Sequence, residues 1–172
     1  MHLDSGIHIS GEGQTVFAFH SSLSSSRQWG VLKKLLLAGC RLVHVDLLGY
    51  GTAEKLPEGS NYGFAMELAR ISELIEQLDG EKFHLVGHSC GGALALKVAM
   101  AYPKQIASLS LYEPVAFHLL EPGTQARAEC DSFANKVAVS DPSAAARAFT
   151  DFWNKVGFYD SLPSKLQQLM AA

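Results

Sequence analysis

A strand that must turn at once into a helix is the tightest constraint in this chain. Phe83-His84-Leu85-Val86-Gly87 is apolar enough for a buried strand. Ser89 follows it without a loop, and a small-residue run from Gly91 to Tyr102, stopped by Pro103, reads as a helix. A serine at such a corner is held in a crowded backbone conformation, tolerable only if the residues two before and two after it lack bulk; here these are Gly87 and Gly91. The corner carries the hydroxyl to the C-terminal edge of the sheet. It also aims the amide of Cys90, at the helix N-terminus, toward a developing oxyanion.

The rest of the chain supplies strands and helices in alternation around that corner. Ile7-His8-Ile9 alternates weakly, as an edge strand does, and Thr15 to His20 reads as a buried strand. A polar loop of six residues, Ser21 to Ser26, follows, five of them serine. The apolar residues Trp29, Val31, Leu32, Leu35 and Leu36 predict a helix over 27–38, ended by Gly39. Arg41 to Leu47 is a second buried strand, and Leu48-Gly49-Tyr50-Gly51 leaves it in a tight loop. Phe64, Leu68, Ile71, Ile75 and Leu78, spaced 4, 3, 4 and 3 apart, give the clearest helix, stopped at Asp79-Gly80. After Lys82 to Gly87 comes a last strand, Ile106 to Tyr112, ending at Glu113-Pro114. Strands separated by helices of about a dozen residues imply right-handed crossovers and a mainly parallel sheet with helices on both faces.

After Pro114 the pattern changes, and residues 128–139, 142–156 and 163–170 look helical. Asp141-Pro142 is a good cap and first helical residue, and Phe149, Phe152, Trp153 and Val156 form one apolar stripe. The expected organisation is an α/β core over residues 1–114 and a helical appendage over 115–172.

Composition excludes several classes of function. Hydrophobic residues are 48% of the 172 and charged residues 18%, with mean hydropathy +0.09, which rules out a disordered or collagen-like chain. The net charge of −3 with no basic stripe argues against a nucleic-acid partner. Apolar runs are too short for a membrane span, and the first residues lack a signal-peptide pattern. Cys40, Cys90 and Cys130 stand far apart with no CxxC pair, as suits a reducing, cytoplasmic setting. No His, Cys and carboxylate grouping has metal-ligand spacing. Gly49-x-Gly51 lacks the remainder of a dinucleotide fingerprint, so no cofactor is expected.

Three landmarks in order now identify a resemblance. His20-Ser21-Ser22 resembles the oxyanion loop, Asp46 to Gly51 the glycine-bearing loop after the next strand, and Gly87-His88-Ser89-Cys90-Gly91 the nucleophile elbow of the α/β-hydrolase fold family. The passage from Ser21 to Trp29 is similar to the branch typified by proline iminopeptidases and haloperoxidase-like esterases. The resemblance implies a serine hydrolase of small esters, amides or related bonds, with Ser89 as nucleophile and the amides of Ser22 and Cys90 as oxyanion donors. It places residues 115–172 at the start of the family's helical cap. Ser21 departs from the family, which usually has glycine there; if that position needs positive φ, serine is strained.

The family's acid and base follow the cap, so the resemblance implies a C-terminally truncated fold whose chain alone shows no ordinary triad turnover. Within the chain, Glu113 is the alternative acid and His118 the alternative base. His20, Trp29, Phe117 and Trp153 are candidate substrate contacts, each with an ordinary packing or loop-holding role as the competing reading. The partner would be a small-molecule substrate, and an exposed edge of the last strand would permit a homo-oligomer. A non-catalytic binding protein that keeps the elbow is the alternative function.

Overall fold

The computed structural model describes residues 5–36, 39–57, 59–138 and 140–171. It divides into two compact units, Met1–Val115 and Ala116–Ala172.

The first unit is built on five strands: β1 (Ile7–Ser10), β2 (Gln14–Phe19), β3 (Cys40–Val45), β4 (Phe83–His88) and β5 (Ile106–Tyr112). Their spatial order is β1-β3-β2-β4-β5. Only β1 runs antiparallel to its neighbour, with Ile7 opposite Val45; the β3–β2, β2–β4 and β4–β5 pairs are parallel. Parallel neighbours need crossovers, and the helices α1 (Gly30–Leu36), α2 (Phe64–Glu76) and α3 (Cys90–Ala101) provide them.

Alternation along the strands sorts the core into two layers. Phe17, Phe19, Val43, Val45, Phe83 and Leu85 point to one face, where they meet Ile71 and Ile75 of α2 and Leu94 and Val98 of α3. Val16, Ala18 and Leu42 point to the other, under Trp29 and Leu36. The sheet is therefore mixed but mostly parallel, with helices on both faces, as the alternating pattern implies. Among the described residues no helix is long and apolar enough to cross a membrane.

The structure corrects the helix expected over 27–38. Ser26–Trp29 is a 3-10 turn, and only Gly30–Leu36 is α-helical, with residues 37–38 outside those described. Val31 and Leu35 are 71% and 75% exposed. They lie four apart on the outer side of a two-turn helix, while Trp29 and Leu36 carry the contact with the sheet. Periodicity counted every apolar residue as inward, but so short a helix can bury only one narrow line.

The second unit contains α4 (Gln125–Ala138), α5 (Pro142–Trp153), α6 (Phe158–Ser161) and α7 (Ser164–Met170). Asp141 caps α5 by accepting from the amides of Ser143 and Ala144, with Pro142 in the first turn. Phe133 of α4 meets Phe149, Phe152 and Trp153 of α5 with ring centroids 6.0, 4.1 and 6.1 Å away. Val156, expected on that stripe, is 93% exposed because the helix ends at Trp153. Val139, the expected end of the preceding helix, lies outside the described residues.

Candidate functional site

The corner after β4 has the geometry its glycines imply. Ser89 stands at φ 52° and ψ −115°, in the left-handed half of the map that side chains avoid. Its amide donates to Tyr112 O at 3.0 Å, and its carbonyl accepts from Gly92, Ala93 and Val115. These four bonds hold the strained residue between β5 and the first turn of α3. A Cβ on Gly87 would lie 2.5 Å from Gly91 O, and one on Gly91 would lie 2.2 Å from Phe19 O. Gly92 is similarly constrained, since its Cβ would meet Pro114 at 2.9 Å. The motif read from sequence does not contain that third close approach, which depends on how β5 returns to the elbow.

A second layer of bonds shapes the loop after β2. His20 is fully buried; its Nδ1 donates to Ser21 O at 2.7 Å and its Nε2 accepts from Leu47 N at 3.0 Å. Both ring nitrogens are thus occupied within the protein, so His20 is a strut between two loops. Its carbonyl accepts from Gly91 N at 3.1 Å, which ties the loop to the helix after the elbow. Ser21 does not have positive φ; that conformation falls on Leu23, at φ 56°. The strain anticipated at Ser21 is therefore absent, because the loop turns two residues later. Burial pushes the pKa of the Cys90 thiol up, opposed by the nearby Ser22 side chain.

Asp46 binds the remaining loops together. Its carboxylate accepts from Ser26 N at 2.6 Å, Thr52 N at 2.9 Å, the Thr52 hydroxyl at 3.1 Å and His8 Nε2 at 3.1 Å. Burial works to raise its pKa, but the Ser26 and Thr52 amides and His8 outweigh it and hold the group well below the usual carboxylate range. Glu67, fully buried, accepts from Leu48 N at 2.7 Å, the Tyr62 hydroxyl at 3.1 Å and Arg70 at 2.8 Å. Sequence reasoning passed over Glu67. Its signal was present: three residues after Phe64 and four before Ile71, it lies on the apolar stripe of α2, where a carboxylate needs partners.

Burial depresses the pKa of His20, opposed by its bond to Ser21 and by Asp46 and Glu67. It also depresses His44, opposed by the bond to Ser26 O. Both groups are favoured neutral in the folded state. Their contribution to stability is complete above the unfolded value of about 6.5 and is lost as pH falls through the lower folded values. Urea midpoints should accordingly drop on acidification below about pH 6.5, with a flatter profile in a His20→Gln/His44→Gln double variant. An equally steep profile in that variant would assign the effect to other groups.

Glu113 follows β5 directly, with an exposed side chain and φ 44°. His118 lies in the short turn Phe117–Leu119, its side chain outside the described residues. Trp29 packs against Val16, Ala18 and Leu42, with its buried Nε1 lacking a hydrogen-bond partner. Phe117 and Trp153 stack with each other in the second unit, at 6.1 Å and 13°. Among the described residues no group of three His, Cys, Asp or Glu could hold a metal ion.

Comparison with known proteins gives a consistent result. A family model described as alpha/beta hydrolase fold matches residues 14–171. A serine hydrolase-like protein of Danio rerio is 30% identical over 105 residues, covering 61% of this chain and 32% of the relative. A fluoroacetate dehalogenase of Burkholderia is 29% identical over 115 residues, 65% of this chain and 38% of its own. An esterase from Exiguobacterium antarcticum superposes with TM-score 0.66 and 25% identity, covering 96% of this chain and 61% of that one. The chain thus spans 32–38% of the length of these curated relatives.

Proposed function

The chain belongs to the alpha/beta hydrolase fold family, and we propose that Ser89 is the nucleophile of a serine hydrolase acting, in its complete form, on a small ester, amide or related bond. The observation that carries this reading is the backbone of Ser89, held at φ 52° by four main-chain bonds between two glycines that admit no side chain. Strain so heavily supported is found where a reactive group must be presented. Ser89 Oγ attacks the carbonyl carbon as its proton passes to a base; the tetrahedral intermediate collapses, the leaving group departs with that proton, and water cleaves the acyl-enzyme that remains. The amides of Cys90 and Ser22 receive the oxyanion. The names of the relatives include an esterase and a dehalogenase, so they support the family more than any one substrate.

A second reading, a binding protein that keeps the elbow without turnover, draws support from the histidines. His20 has both nitrogens engaged within the protein, and His88, beside the nucleophile, is bonded to Gln28. His20 thus has no nitrogen left to take a proton from Ser89.

A fluorophosphonate probe, applied to the protein in its complete form, separates the two. Ser89 Oγ displaces fluoride from phosphorus, its proton leaving to solvent or base, and forms a stable phosphonyl ester. Intact-mass and peptide spectrometry should find one adduct per chain on Ser89 and none in Ser89→Ala. An unmodified wild-type chain, or equal modification of Ser89→Ala, would remove the nucleophile reading in favour of the binding one.

A further inference from the structure

Gln28, in the turn after β2, and His88, at the end of the strand that leads into the elbow, are 60 residues apart in sequence, and the Gln28 side-chain amide joins them. Gln28 Oε1 accepts from both the backbone N–H of Ser21, at 3.1 Å, and the Ser21 hydroxyl, at 3.0 Å. Its Nε2 lies 3.1 Å from His88 Nδ1. We propose that Gln28 is a positioning residue that locks the oxyanion-side loop to the nucleophile strand through a neutral His88 protonated on Nε2. The role rests on the reading of Ser89 as nucleophile.

The orientation of the amide follows from its partners. A backbone N–H can only donate, so the atom facing Ser21 must be the carbonyl oxygen. The NH2 therefore faces His88, and since it too can only donate, Nδ1 must present a lone pair. The proton of a neutral ring then sits on Nε2. Gln28 is well placed to act as a fixed point. It lies in the 3-10 turn Ser26–Trp29, its own amide donates to Ser25 O at 2.9 Å, and Ser26 N at the start of that turn is held by Asp46. On the far side the His88 ring rests 4.9 Å from the ring of Tyr112, so it is braced by β5. Tyr112 is also the residue whose carbonyl accepts from Ser89 N.

This arrangement gives the serine at position 21 a purpose. Its hydroxyl supplies a second bond to the same Oε1, which a glycine could not make. The loop carrying Ser22 and the strand leading to Ser89 then hold their separation without a covalent link. The distance between nucleophile and oxyanion donor is the quantity such a lock protects.

The test uses the full chain. The 15N–1H correlation of the imidazole nitrogens should show His88 as the Nε2–H tautomer, a readout independent of any activity. In Gln28→Leu that preference should be lost, and phosphonylation of Ser89 should slow about tenfold. Gln28→Glu keeps the acceptor for Ser21 but sets a carboxylate against Nδ1. It should draw a proton onto that nitrogen and restore part of the rate. An Nδ1–H tautomer in the wild type overturns the proposal. So does a Gln28→Leu chain labelled at the wild-type rate. A wild-type chain that takes no label at Ser89, while the tautomer and its loss appear as stated, overturns the nucleophile reading and the positioning role with it. The bridge itself would then stand as a structural link only.

Discussion

Gly91→Ala should destabilise the protein by more than about 3 kcal/mol, at the upper end of what overpacking usually does. The added Cβ would lie 2.2 Å from Phe19 O, 2.4 Å from Phe19 C and 2.5 Å from His20 O. All three are backbone atoms of the central strand and its exit, so no side chain can rotate away. Relief requires α3 to move off the sheet, which breaks the Gly91 N to His20 O bond and opens the layer holding Leu94 and Val98. In a chain of this size about 3 kcal/mol lowers the melting temperature by roughly 6–12 °C. Gly30→Ala is the control, because a Cβ there meets nothing within 4 Å. It should be neutral or slightly stabilising, by up to about 1 kcal/mol, since it begins a helix. Calorimetry showing the two variants alike would mean that α3 approaches the sheet less closely than described.

Asp46→Ala should remove about 3–5 kcal/mol, read from urea denaturation. Two main-chain donors, Ser26 N and Thr52 N, lose their acceptor where the carboxylate is 98% shielded. Each donor left unsatisfied costs about 1–3 kcal/mol. Asp46→Asn should lose less, about 1–3 kcal/mol, because one amide oxygen can still serve Ser26 while the NH2 opposes Thr52. Equal losses in the two variants would show that charge, which both remove, and not acceptor count governs the site. The same substitution releases the base of the turn carrying Gln28, so its effects extend from the edge of β1 to the loop beside the elbow.

How far the sequence carried varies by element, for physical reasons. The β4 strand, the elbow and α3 were legible because local sterics decide them: a serine between Gly87 and Gly91 at a strand end admits few backbones. The α2 helix was legible from its repeat alone. The segment after Ser26 was not, since seven α-helical residues are too few for periodicity to tell inward from outward, and Val31 and Leu35 point to solvent. Of the site residues, Ser89 came from the motif, whereas the roles of Gln28, Glu67 and Asp46 came from partners distant in the chain. Gln28 and His88 are 60 residues apart, and Asp46 and His8 are 38. No local pattern encodes such pairings.

By itself the sequence determined where a nucleophile elbow can form, because only Gly87 and Gly91 leave space for Ser89 to take its backbone. It also determined the layered α/β plan, through the alternation of strand and helix periods. Only the tertiary structure decided how the loops around the elbow are held. That depends on which donors remain unpaired once the strands have aligned, and on which side chains, His20, Gln28, Asp46 and Glu67, lie within reach to accept from them.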